Sequence, residues 1–354
     1  MKVQSLQLVP YSLKLVNPLT TALGRCDDRS GIVVCLDDVI GNRGYGDASP
    51  FPGFSQETLA QVVKELNDVG GTDWSAFCFE SLDCVEGFCR DLKLSSSAHH
   101  AVEQALLDLL AQNQGLSLAQ LLNPEAAGTV ATGSLVRDGQ EAADRVSKGI
   151  KTLKMKLSGR EGVDAQRIRI QSVMDAMSSD CLLRLDANRS LGFEEALDLL
   201  SQLDPSVVEF VEEPIRPEFR SRLGELRRGS AVPIALDESV VEEQALVEAL
   251  ESGWCDVVVI KPMMCGGLLR ALRYTRLAQR YQIPFCFTSS MESVVGRLGT
   301  MHLDAAVAPA YRRTAGLDTG RYFTMDVAKQ PCLDGDSFVL PPRLGQGIDA
   351  LEVA

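Results

Sequence analysis

From about residue 129 onward the chain alternates between two textures. Short β-rich runs ("TVATGSLV", "KTLKMKL", "CLLRLDAN", "SVVEFVEEP", "VPIALDES", "CDVVVIKP" and "IPFCFTSS") each lead into an amphipathic stretch of helical period. Strand–helix units in series pair as parallel strands with right-handed crossovers, which leaves few folds open. An open doubly wound sheet and a (β/α) barrel both satisfy the pattern.

The charges decide between them. In "TLKMKLSG", Leu153, Met155 and Leu157 point one way, while Thr152, Lys154 and Lys156 point the other. If the apolar face packs on helices, both ammonium groups face water or the inside of something. Polar residues stand at the carboxyl ends of five consecutive strands: Lys154 and Lys156, then Asp186, Glu212, Asp237 and Lys261. From Lys156 onward the gaps are 30, 26, 25 and 24 residues by subtraction, about one unit each. A barrel brings all its strand ends to one face, where sites of that fold lie, whereas an open sheet spreads them along a line. The phase agrees: Arg184, Asp186 and Asn188 share one face of their strand, Asp237 shares a face with Ala235, and Lys261 with Val259.

Taken singly, a Lys-x-Lys is a solvated strand edge, and an acid at a strand end is a helix N-cap. Those readings leave unexplained why all five positions fall in order, in phase and at unit spacing. Three carboxylates from successive strands suit a hard divalent cation such as Mg²⁺. Lysines flank it on both sides. Lys156 beside Lys154 is expected to have a lowered pKa, because like charges disfavour protonation, and so to serve as a general base. The chemistry implied is proton abstraction next to a carboxylate, with a metal ion stabilising the enediolate.

The first 125 residues read differently, as an α+β segment. Strands over 3–9 and 31–36 are joined by a polar loop at 18–30, and helices follow near 55–69, 80–92 and 97–112. Residues 126–322 carry the barrel, and the extended tail 323–354 is expected to return to the first domain. With 354 residues, 45% hydrophobic and 23% charged, the composition is that of a soluble globular protein. No apolar run approaches the roughly 18 residues that span a bilayer, and "MKVQSLQLVPYSLKL" alternates like a strand rather than a signal peptide. Ten scattered cysteines imply reduced thiols, and with them a cytoplasmic protein. The net charge of −13 excludes a general nucleic-acid partner but not a small anionic carboxylate substrate. His99, His100, Trp74 and Trp254 are read as structural.

These residues resemble the enolase superfamily in its muconate-lactonizing branch, whose signature is Lys-x-Lys, Asp, Glu, Asp, Lys on successive strands. Within the branch, "GDASPFPGFSQETL" (46–59), "LRLDANRS", "VEEP", "LDES", "VVIKP", "SSMESVVG" and "GLDTGRYF" are most similar to the o-succinylbenzoate synthase family. The resemblance implies an α/β fold, a (β/α)₇β modified TIM barrel under an N-terminal α+β capping domain. Its last strand would lie near "GLDTG", and the loop 18–30 would be a lid. It implies Mg²⁺, replaceable by Mn²⁺, on Asp186, Glu212 and Asp237, with Glu213 and Glu238 behind them. Lys156 would take the α-proton of a cyclohexadiene carboxylate and return it to the departing hydroxyl on the same face, a syn dehydration. Lys261 would stabilise the enediolate from the opposite side. Lys154 and Arg184 would support Lys156 and the carboxylates. Asn188, Ser289, Ser290 and Arg25 would contact substrate. Dipeptide epimerases, N-acylamino acid racemases and muconate cycloisomerases share the metal site and lysines. The single acid in "GLDTG", Asp318, disfavours a dipeptide, whose amino group the epimerases hold with Asp-x-Asp. A non-catalytic binding barrel is disfavoured by lysines kept on both faces.

Overall fold

The computed structural model describes residues 1–21, 24–157 and 162–352. The chain opens with three antiparallel strands, β1 (Val3–Thr21), β2 (Gly24–Asp38) and β3 (Arg43–Ala48), paired in that order. β2 shows why "GIVVCL" carries no polar residue. Ile32, Val34 and Leu36 pack with Val62, Leu66 and Leu106 of the cap helices, while Val33 and Cys35 pack with Val295 and Leu298 of the barrel helix Val294–Ala306. A strand covered on both faces has no side to leave polar.

One expectation is corrected here. The stretch 18–30 is not a polar loop: β1 and β2 run through it, with Leu19 opposite Cys26 and Thr20 opposite Arg25. Residues 22 and 23 lie outside the described residues. The antiparallel partner satisfies the backbone of both arms, which is why a polar sequence can still be strand.

The longer cap helices follow, Leu59–Gly70, Leu82–Leu92 and Ser96–Asn113. The first starts at Thr58, in a reciprocal cap with Gln61. The third is enclosed on nearly all sides, so its polar residues must find partners in other elements. Glu103 Oε1 accepts from Leu269 N at 3.0 Å, and Asp108 accepts from Tyr45 N at 3.0 Å and Gln346 N at 2.8 Å. Gln104 Nε2 donates to Val295 O at 2.7 Å and Gln346 Oε1 at 2.6 Å. His100 Nδ1 lies 3.0 Å from Asp47 O, a structural role. β3 reaches this helix through glycine: a Cβ on Gly46 would stand 1.9 Å from Ala101 O.

The expected single strand in "TVATGSLV" divides at Gly133, where a Cβ would stand 2.7 Å from Thr152 O. β4 (Thr129–Ala131) leaves the barrel, and β5 (Ser134–Val136) opens it. β6 (Thr152–Lys156), β7 (Leu182–Asp186), β8 (Val208–Glu212), β9 (Ile234–Leu236), β10 (Val257–Ile260) and β11 (Phe285–Phe287) continue it as one parallel sheet in chain order. Residues 312–317 close the ring as an eighth strand. Gly316 N donates to Phe287 O at 2.8 Å on one side, and Gly133 N donates to Ala315 O at 2.7 Å on the other. The fold is thus a (β/α)₇β barrel with an α+β cap. In the tail, β12 (Cys332–Asp334) and β13 (Ser337–Val339) pair with β4, and Gln346 ends among the cap residues named above. No helix among the described residues is long and apolar enough to cross a membrane.

Side chains alternate along the barrel strands. Leu153, Met155, Leu183 and Leu185 pack outward into the helix layer, and Phe210, Ala235, Val257, Val259 and Cys286 form a separate interior cluster. The lysines of "TLKMK" therefore point into the barrel.

Candidate active site

Parallel register carries the charges to one level. Lys156 is paired with Asp186, Asp186 with Glu212, and Glu212 with Ala235. Asp237 follows β9 directly and Lys261 follows β10. The three acids are buried, at 2%, 1% and 3% exposure, while the Lys156 side chain is 55% exposed at the mouth. Lys154 Nζ donates to both oxygens of Glu212 at 2.7 Å and lies 2.9 Å from Asp186 Oδ2. Lys261 Nζ is hydrogen-bonded to Asp237 Oδ2, and its ammonium stands 5.0 Å from the centre of the Phe54 ring of the cap. Lys156 Nζ donates to Asn188 Oδ1 at 2.9 Å and lies 3.8 Å from Asp186 Oδ2.

Burial opposes the charge on Asp186, but Lys154, Lys156 and Lys261 outweigh it and hold the carboxyl down at about 2. Burial likewise opposes the charge on Lys154. Asp186, Glu212 and Asp237 reverse that effect and raise its pKa above the ordinary lysine value. The Lys154 charge is matched by Glu212 and Asp186. Lys261 follows the same pattern, with burial outweighed by Asp237 and Glu212.

The backbone around the acids is strained. Asn188, Arg189, Glu213 and Met291 have φ of 42°, 56°, 44° and 63°, four of the six positive-φ non-glycine residues among those described. Such residues cost about 1–3 kcal/mol each and cluster at functional sites. Here the turns aim side chains. Asn188 bridges Lys156 to Glu238, donating to Glu238 Oε1 at 3.0 Å. Glu213 accepts from Asp237 N at 2.9 Å and Ser239 N at 2.7 Å, fixing the backbone that bears Asp237. Burial and neighbouring Glu238 push Glu213 up to about 7.

Several sequence-named residues stand elsewhere than expected. Arg184 is buried below the mouth. It donates to Glu209 Oε2 at 2.7 Å and Thr314 O at 2.8 Å and covers the Phe210 ring, so it braces the barrel rather than Lys156. Arg25 is exposed on the hairpin, 2.8 Å from Asp27. The Ser289 hydroxyl is 2.7 Å from Thr319 Oγ1, and that of Ser290 donates to Glu292 at 3.0 Å. Asp318 is bonded to Ser134 Oγ and lies 3.3 Å from Arg145 and 3.4 Å from Arg321. The sequence reading missed Arg29, a buried guanidinium that donates to Ser49 O (2.9 Å), Pro50 O (3.1 Å) and Met291 O (3.2 Å). It ties the hairpin and the turn after β3 to the mouth loop. Its partners are backbone carbonyls, which leave no mark in a sequence.

Among the described residues, no three His, Cys, Asp or Glu side chains are drawn to metal-ligand spacing, and the ammonium groups of Lys154 and Lys261 lie among the acids. The donor chemistry still fits a hard divalent ion, being three buried carboxylates on neighbouring strand ends.

Fold and site together define a class: capped barrels that gather acids between amines at the strand ends. Residues 4–123 match the mandelate racemase / muconate lactonizing enzyme N-terminal domain, and residues 137–353 match the enolase C-terminal domain-like family. The chain belongs to that family, as an enzyme of the enolase superfamily. It is 27% identical to the hydrophobic dipeptide epimerase of Enterococcus faecalis over 98% of both chains. To the o-succinylbenzoate synthase of Thermobifida fusca it is 33% identical, but over 58% of this chain and 63% of that protein. The crystal structure of the E. faecalis V583 dipeptide epimerase, complexed with Mg and L-Leu-L-Tyr, superposes with a TM-score of 0.88 at 26% identity, covering 98% and 99% of the two chains.

Proposed function

We propose that the protein epimerises a dipeptide-type substrate by removing and returning the proton on the carbon that bears its carboxylate. The observation that carries this reading is an amine on each side of the acids, Lys156 on β6 and Lys261 after β10. Epimerisation needs a base on one face of the α-carbon and an acid on the other, and the two exchange roles in the reverse direction. Asn188 holds the Lys156 amine towards the mouth, and Lys154 shares the charge of Glu212 and Asp186 behind it. Mg²⁺ on Asp186, Glu212 and Asp237 would supply positive charge at the substrate carboxylate as its second negative charge develops. The full-length likeness to a dipeptide epimerase supports the substrate class, against the weight first given to the single acid of "GLDTG".

One observation favours a second reading, the syn dehydration of 2-succinyl-6-hydroxy-2,4-cyclohexadiene-1-carboxylate to o-succinylbenzoate. Asp318 is held by Ser134 and two arginines, which leaves less negative charge for a substrate ammonium. Both readings use the same lysines. NMR in D₂O with Mg²⁺ and a panel of L,L-dipeptides separates them: epimerisation exchanges the α-proton for deuterium. Aromatisation of the cyclohexadiene, with every dipeptide left unexchanged, would replace the first reading by the second.

A further inference from the structure

Three consecutive hydroxyls close β11 at the mouth, Thr288, Ser289 and Ser290, and only one lacks a partner. Ser289 and Ser290 are bonded to Thr319 and Glu292 as described, and Ser289 Oγ also accepts from Met291 N at 2.9 Å. Thr288 is 7% exposed, and its Oγ1 is buried with no hydrogen-bond partner among the described residues. Leaving a buried hydroxyl unpaired costs free energy, and native structures rarely do so without a reason.

Its position supplies a reason. Cys286 belongs to the barrel-interior cluster, so Thr288, two residues on, faces the same way, one step nearer the mouth. Ile260 is paired with Phe287, and Thr288 N donates to Ile260 O at 3.0 Å, which puts Thr288 on the same rung as Lys261. Its other neighbour is Gly316, where a Cβ would stand 3.0 Å from Thr288 Cγ2. The threonine methyl thus packs on the glycine side, and a side chain at 316 would press on it.

The next step rests on the reading above. The acids lie on β7 to β9 and the amines on β6 and β10. With the substrate carboxylate towards the acids and the α-proton towards one of the amines, the two substituents left on that carbon, its side chain and its α-nitrogen, share the remaining arc, which is β11, residues 312–317 and β5. We infer that Thr288 is a substrate-contacting residue, its hydroxyl donating to the acyl carbonyl oxygen attached through the α-nitrogen.

The test compares Thr288→Val and Thr288→Ser with wild type. The readouts are dipeptide α-proton exchange, Mg²⁺ affinity by calorimetry and thermal unfolding. Valine is expected to lower kcat/KM on the order of 10- to 100-fold, mostly through KM, with Mg²⁺ affinity unchanged. Serine is expected to retain most of the activity. Because valine removes an unpaired buried hydroxyl, its Tm should equal or exceed that of wild type by about 2 °C. Wild-type kcat/KM in the valine variant would overturn the inference. So would a fall in its Tm, which means the hydroxyl is already satisfied inside the protein. A wild-type enzyme that exchanges no dipeptide sinks the epimerase reading and the carbonyl contact together, whereas an active wild type matched by its valine variant sinks the contact alone. The Tm comparison stands in either case.

Discussion

Glu103 is a side chain whose ionisation should be visible in the stability of this protein. It lies on the enclosed helix Ser96–Asn113 and accepts from Leu269 N, at the start of the barrel helix Leu268–Arg280. Gly267 precedes that helix and has no side chain to cap it, and a Cβ there would stand 2.4 Å from Glu103 Oε1. Burial pushes the Glu103 carboxyl from 4.5 up to about 7, against the pull of the Leu268 and Leu269 amides. The folded state therefore holds this proton more tightly than the unfolded chain. The resulting stabilisation is complete below pH 4.5 and disappears as pH rises through 7. Linkage over those two values gives a loss of about 2.5 kcal/mol between pH 5 and pH 8. Glu103→Gln keeps an acceptor for Leu269 N and cannot ionise. The assay is urea unfolding of both proteins at several pH values from 5 to 8. The stability of wild type relative to the glutamine variant should fall by about 2.5 kcal/mol across that range. Parallel profiles would show that Glu103 stays ionised or stays solvated, and would refute the burial argument.

Three further outcomes are expected. Lys156→Ala should lose about 10³-fold or more in α-proton exchange, while calorimetry shows unchanged Mg²⁺ binding; wild-type exchange would remove the proposed base. Asp186→Asn, or chelation of the wild type, should abolish both Mg²⁺ binding in calorimetry and turnover, and re-addition of metal should restore only the chelated wild type. Gly46→Ala places a methyl into the Ala101 carbonyl, and should cost roughly 1–3 kcal/mol or more in urea unfolding; a neutral effect would mean β3 can draw away from its helix.

The barrel was legible because each unit announces itself locally, through the two-residue period of "TLKMK" and the helical period that follows. The acids and lysines were legible because strand register is regular, so equal spacing along the chain becomes a common level in space. The hairpin at 18–30 was not legible. Its strand character comes from pairing between two polar arms, and a single arm looks like a loop. The division at Gly133 depends on Thr152, a residue of the next strand. Ser289 and Thr288 show the same boundary at finer scale. Their neighbouring hydroxyls look alike in sequence, yet Ser289 meets Thr319, thirty residues on, and Thr288 has no such partner among the described residues.

The enclosed cap helix also sets an order of assembly. Gln104 meets Gln346 across 242 positions, and Glu103 meets the Leu269 amide across 166. During synthesis this helix emerges long before either partner exists. Its polar groups must wait in water until residues 269 and 346 have been made, so the helix is completed only after the barrel strands that follow it. Replacing Gln346 would therefore wound a helix more than two hundred positions upstream.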